Sequence, residues 1–311
     1  MKRREFLRVA GAAATWPLIA WPLPSLAQQR AIPVVGFLHT GSPTAFSHLA
    51  EAFREGVRST GLIEGQNLSI EYRWAEGRID QLPRLANELV GRRVAVIAAT
   101  GGNPSGTAAK SATATIPIVF QAGSDPVEAG FVSSLSRPTE NLTGVSIISP
   151  ELVAKRLEVL HEALPTAGKF AFLVYPKSVN AEQETREVEA AARALNHQVH
   201  VVKVTDDREL EAAFTSFGRE KDGAVIVASD PFFTSRRERL VALAAQRVLP
   251  AIYPFREFAQ AGGLISFGAS ISEAFRQVGI YTGRILKGEK TSDLPVQLPT
   301  KIRICDQPQN G

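Results

Sequence analysis

Cysteine occurs once in the 311 residues, at Cys305, and methionine once, at the chain start. A single thiol excludes an internal disulfide and any cysteine metal centre. The five histidines are scattered, and only His197 and His200 are close together. On a strand a spacing of three puts those two on opposite faces, so no metal site is expected. The chain also lacks GxxxxGK[ST], a GxGxxG after its first strand, GxSxG and HExxH. Without a recognisable nucleophile and base pair it does not read as an enzyme, and no cofactor is expected. A membrane span needs about 20 apolar residues, whereas the uncharged run Val9 to Leu23 is interrupted at Pro17 and Pro22. The formal charge is +4, and residues 1–27 hold four basic residues against one acid. The remainder is near neutral, which argues against a nucleic-acid partner.

Residues 1–27 have the anatomy of an export signal, with Lys2, Arg3, Arg4 and Arg8, then the apolar run, then Ser25-Leu26-Ala27 as a small-x-small cleavage site. Arg3-Arg4-Glu5-Phe6-Leu7 resembles the twin-arginine pattern, so a periplasmic location is expected.

From residue 32 onward, apolar strands alternate with amphipathic helices, the pattern of parallel sheets in an α/β protein. Pro33–Leu38, Leu68–Trp74, Val94–Ala99 and Ile116–Gln121 read as strands. In the helix between the first two, Phe46, Leu49, Phe53 and Val57 repeat at spacings of three and four. Asp125-Pro126 reads as a helix start, since Asp caps free N–H groups and Pro suits the first turn. Asn141–Ile148 reads as an extended connection, after which the alternation resumes from Glu151 to Tyr253 and ends in a strand over 262–267 and a helix over 271–286. Two Rossmann-like lobes joined by a hinge are expected. The predicted division is 28–146 plus about 265–292 for the first lobe and 147–264 plus 293–311 for the second.

Ligands bind such sheets at the carboxyl ends of the strands. Those ends supply His39, Thr40, Ser42, Thr100, Gly101, Gly123, Ser124 and Asp125 from the first lobe, and Lys177, Ser178, Ser229, Asp230 and Phe267 from the second. Hydroxyls, glycines and backbone N–H groups of this kind suit a small polar solute between aromatic walls. A free carboxylate at Asp125 or Asp230 would suit an ammonium, while one that caps a helix would not be available to a ligand. The turn Gly101–Gly106 is a weak candidate for holding an anion.

VVGFLHTGSP, YRWAEGRIDQLPRLANELV, SDPVEAGFVSSLSRP with NLTGVS, DPFFTSRRERLVALAAQRVLPAIY, REFAQAGGLISFGAS, YTGRILKGEK and LPTK follow one another along the chain. In these stretches the sequence resembles the exported substrate-binding proteins of ABC transporters, in the family that includes tryptophan/tyrosine-type binding proteins. The resemblance implies the type I periplasmic-binding fold, with three hinge crossings and a ligand between the lobes. It also implies capture of a small solute and delivery to a membrane permease driven by a separate ATPase. Together with the strand-end residues, an amino acid or similar small carboxylate is the expected solute, and a monomer is the expected working unit. A sensor presenting its closed form to a membrane receptor is the alternative role. Two departures stand out. Thr139-Glu140 replaces the family's Gly-Gly after Arg-Pro, and after Lys301 the chain reads IRICDQPQNG where the family resembles FEFVINLKTA. Codons exist for IRICDQPQNG whose reading from the second base encodes FEFVINLKT. A one-base frameshift after Lys301, with loss of a final strand and helix, is therefore expected.

Overall fold

The computed structural model describes residues 32–138, 141–147, 151–220, 223–298 and 302–306. The expected export signal at 1–27, the Thr139-Glu140 pair and the junction at Lys301 lie outside the described residues.

The first lobe runs β1 (Val34–His39), α1 (Pro43–Arg58), β2 (Ser69–Trp74), α2 (Leu82–Gly91), β3 (Val96–Thr100), α3 (Asn103–Ala112), β4 (Ile118–Ala122) and β5 (Leu142–Ser146). These strands form one parallel sheet in the order β2-β1-β3-β4-β5. Side chains alternate across β1: Val35 and Phe37 pack with Phe53 and Val57 of α1, while Leu38 packs with Leu82, Leu85 and Leu89 of α2 on the other face. β3 and β4 are covered on both sides and buried at every residue, which is why both read as continuous apolar runs.

The second lobe runs α4 (Glu151–Ala163), β6 (Lys169–Val174), α5 (Ala181–Ala194), β7 (Gln198–Lys203), α6 (Asp207–Glu220), β8 (Ala224–Val227), α7 (Pro231–Thr234), α8 (Arg237–Gln246), β9 (Ala251–Tyr253), α9 (Arg256–Gln260) and β10 (Ile265–Ala269). The chain then continues through α10 (Ile271–Leu286) to β11 (Ile302–Asp306). The second sheet has the order β11-β10-β9-β8-β6-β7, parallel except for β11, which pairs antiparallel with β10. The residues that follow Lys301 thus still supply an edge strand.

Several expectations are corrected. Asn141–Ile148 is not merely a connection, because Leu142–Ser146 is strand β5, paired along its length with β4. No helix follows Asp125-Pro126. Phe131 turns back to pack on Phe120 with ring centroids 5.0 Å apart, so the segment closes as a run of turns with Gly130 at φ +68°. The chain does not return to the first lobe near residue 265, because β10 pairs with β9. Its Phe267 carbonyl accepts from Arg156 Nε at 3.0 Å, tying it to α4.

The return comes with α10, which packs on α1 so closely that a Cβ on Gly56 would lie 1.9 Å from the Arg276 carbonyl oxygen and one on Gly279 2.1 Å from that of Phe53. Only glycine permits this helix contact. The segment after α10, expected in the second lobe, also lies on the first. Thr143 Oγ1 donates to the Leu294 carbonyl at 2.6 Å, and Gln297 N to that of Gly144 at 3.0 Å. The chain therefore passes between the sheets three times: after β5, after β10 and before β11.

Candidate functional site

A cavity of about 380 Å³ lies between the carboxyl ends of the two sheets. Of the residues expected there, His39, Thr40, Ser42, Gly101, Gly123, Lys177, Ser178, Ser229 and Asp230 line it. Thr100, Ser124, Asp125 and Phe267 do not. Thr100 is fully buried with Oγ1 donating to the Leu38 carbonyl at 3.3 Å, and Phe267 is buried in β10. Ser124 Oγ accepts from Asn103 Nδ2. Asp125 is exposed, and its Oδ1 accepts from Val127 N at 2.7 Å, the local capping role.

In the first lobe the wall is tied together internally. Thr40 Oγ1 donates to the Gly101 carbonyl at 2.8 Å, stitching the end of β1 to that of β3. The Gly101–Gly102 turn, with φ of +84° and +96°, aims both N–H groups at one point, and Gln121 Oε1 occupies it, accepting from each at 3.1 Å. The two glycine N–H groups of this turn are therefore not available to an anion. Gln121, at the end of β4, was not singled out from the sequence, where it looks like a polar residue closing an apolar strand. His39 Nδ1 accepts from Gly41 N at 2.8 Å, so the proton sits on Nε2, which is buried without a hydrogen-bond partner. Burial pushes the His39 pKa down to about 3, and the neutral ring packs on Phe46 at 4.5 Å, Trp74 at 4.9 Å and Phe275 at 5.8 Å.

In the second lobe Ser229 belongs to a buried network. Arg156 Nη2 donates to its Oγ at 2.9 Å, and its own N–H donates to Glu184 Oε2 at 3.1 Å. Burial raises the Glu184 carboxyl to about 7 and lowers Arg156 to about 10, with their mutual attraction acting against both shifts. Asp230 caps α7, its Oδ1 accepting from Phe232 N at 2.7 Å. Burial raises its pKa to about 6, against the Phe232 N–H and a Ser178 hydrogen bond. Phe232 stacks on Tyr175 with centroids 4.7 Å apart and rings 5° from parallel, and the Arg236 guanidinium lies 3.9 Å from its ring centroid.

The cavity therefore combines aromatic surface from Phe46, Tyr175, Phe232, Phe255 and Phe275 with few uncommitted polar groups. Two charged side chains at its walls have no hydrogen bond or ion pair among the described residues: the Glu76 carboxylate on the first lobe and the Lys177 ammonium on the second. Such a site can hold an apolar body and meet charged ends.

A family model described as ABC transporter substrate binding protein matches residues 35–304. The chain is 26% identical over 246 residues to the tyrosine-binding protein of Clostridioides difficile (strain R20291), covering 79% of this chain and 70% of that protein. Among solved structures, a conserved domain protein from Vibrio cholerae superposes with a TM-score of 0.79 at 25% identity, over 88% of this chain and 92% of that one. An ABC domain in complex with L-Trp from Streptococcus pneumonia superposes with a TM-score of 0.75 at 22% identity, over 86% and 88% of the two chains.

Proposed function

The chain belongs to the family of ABC transporter substrate-binding proteins and has the type I periplasmic-binding fold, and on that premise we propose that it captures an aromatic amino acid or a related aromatic carboxylate for import. The observation that carries this reading is the composition of the cavity wall, where aromatic rings from both lobes surround a space with a free Lys177 and a free Glu76. Lys177 suits the ligand carboxylate and Glu76 an ammonium, while Ser42 and Ser178 edge the same space. Asp230 is set aside as the ammonium partner because it caps α7. The tyrosine-binding relative and the L-Trp-bound structure support the same class of solute.

In this reading the protein is exported through its first 27 residues, acts as a monomer, and hands its solute to a membrane permease powered by a separate ATPase. No helix among the described residues is long and apolar enough to cross a membrane.

Thermal unfolding in the presence of each common amino acid, benzoate and simple sugars tests the proposal. A ligand at a hundred times its dissociation constant adds about 2.7 kcal/mol of stability. Tryptophan, tyrosine or an aromatic acid is expected to raise the melting temperature. A shift with sugars alone overturns the reading.

A further inference from the structure

Asn180 stands at the N-cap of α5 but makes no side-chain capping bond there. Asparagine at this position ordinarily accepts from the helix's own free N–H groups. Its carboxamide instead crosses to the other lobe, where Nδ2 donates to the Gly123 carbonyl at the end of β4. The side of Gly123 that faces its own lobe is held too, since its N–H donates to Asn103 Oδ1 at 2.8 Å. One residue of the first lobe is thus gripped through both of its backbone polar groups, by an asparagine from each lobe. Asn180 is buried at 4% exposure, and Asn103, Gly123 and Asn180 all line the cavity. On a second flank, Arg237 Nη1 of α8 donates to the Ala45 carbonyl in the first turn of α1 at 3.1 Å.

We propose that Asn180 is a positioning residue that latches the lobes together through Gly123 and sets how much of the protein is closed before ligand arrives. The contact joins residues of different lobes and exists only while the lobes meet. When they part, the Asn180 amide turns to water or to the vacant cap of α5. The latch therefore favours the closed form by the worth of one buried hydrogen bond, a roughly three- to tenfold change in the closed-to-open ratio. Apparent affinity follows the competent fraction, so the same residue tunes binding without belonging to the ligand's chemistry. The inference rests on the reading of the protein as a two-lobed receptor, and not on which solute it takes.

Asn180→Asp separates the latch from a merely structural role. Aspartate cannot donate to Gly123, but it is a good cap for α5. In the ligand-free protein, with Cys305→Ser and spin labels at Glu128 and Lys203, Asn180→Asp is expected to lengthen the inter-lobe distance and broaden its distribution. Its melting temperature is expected to stay level or rise. Asn180→Ala should show the same lengthening with a lower melting temperature, because it loses the latch and, unlike aspartate, gains no cap on α5 in return. An unchanged distance distribution in both variants overturns the proposal, whatever happens to stability. Because this readout needs no ligand, failure of the latch and failure of the aromatic-solute reading give different results.

Discussion

Arg156 on α4 donates Nη2 to Ser229 Oγ at 2.9 Å, while the Ser229 N–H donates to Glu184 on α5, so a residue at the cavity wall is held from behind by two buried charged groups. The same guanidinium donates Nε to the Phe267 carbonyl, which joins α4, β8 and β10 at one point. Truncating the arginine leaves Glu184 buried without its compensating charge. Arg156→Met is expected to cost about 3–5 kcal/mol, read from urea unfolding. An effect below about 1 kcal/mol would show that the network contributes little.

The Glu184 carboxyl titrates at about 7 in the fold against 4.5 as its ordinary value. A raised pKa means that the folded state holds the proton longer. Its contribution is fully present below about pH 4.5 and is lost as pH rises to about 7. His39 has the opposite sign: it falls from 6.5 to about 3, so its contribution is lost as pH falls through that window. Glu184→Gln removes the glutamate's contribution and keeps that of His39. Relative to the native chain, its stability is expected to gain about 1.4 kcal/mol per pH unit between pH 4.5 and 7. Urea midpoints of both proteins across that range check this, and a constant difference between them contradicts it.

Gln121 is the acceptor for two buried N–H groups, those of Gly101 and Gly102. Gln121→Leu leaves both unsatisfied and is expected to destabilise the protein by about 2–5 kcal/mol. Gln121→Glu retains an acceptor and should lose less, as chemical denaturation of the pair will register.

Two glycines on helices of the first lobe should respond in opposite directions. Gly56→Ala drives a Cβ into the Arg276 carbonyl oxygen and must push α1 off α10, at a cost of about 1–3 kcal/mol or more. Gly91, the last residue of α2, has no atom within 4 Å of an added Cβ, and Gly91→Ala should stabilise by about 0.4–1 kcal/mol. Melting temperatures of the two variants decide the matter.

Lys177 tests the proposed solute directly. If it meets the carboxylate, Lys177→Met should weaken binding of L-tryptophan by about tenfold or more, with the melting temperature of the ligand-free protein unchanged. Calorimetric titration of variant and native protein gives the comparison. Equal affinities remove Lys177 from the site.

Most of the strands and helices were legible because each carries its own periodicity, as in the Phe46, Leu49, Phe53, Val57 stripe of α1 and the unbroken apolar run of β3. The errors fell where a distant contact decided the outcome. Phe131 reaching Phe120 shortened the expected helix after Pro126 to turns, and β10 stayed with the second sheet through Arg156. Gln121 and Asn180 were missed for the same reason, since nothing local marks a polar side chain whose partners lie 20 and 57 residues away.

The two Asp-Pro pairs show where the division falls. Asp125 and Asp230 each accept, through Oδ1, from the N–H two residues on at 2.7 Å, a device written entirely in the local sequence. Sequence alone thus determined the alternating elements, the two-lobed class and this capping chemistry, because each depends on residues a few positions apart. Tertiary structure decided that Asp230 lines the cavity while Asp125 faces solvent, and that Asn180 forsakes its helix for Gly123. Those outcomes depend on which strand ends the two sheets bring together, and burial and long-range hydrogen bonds are set only once the lobes have packed.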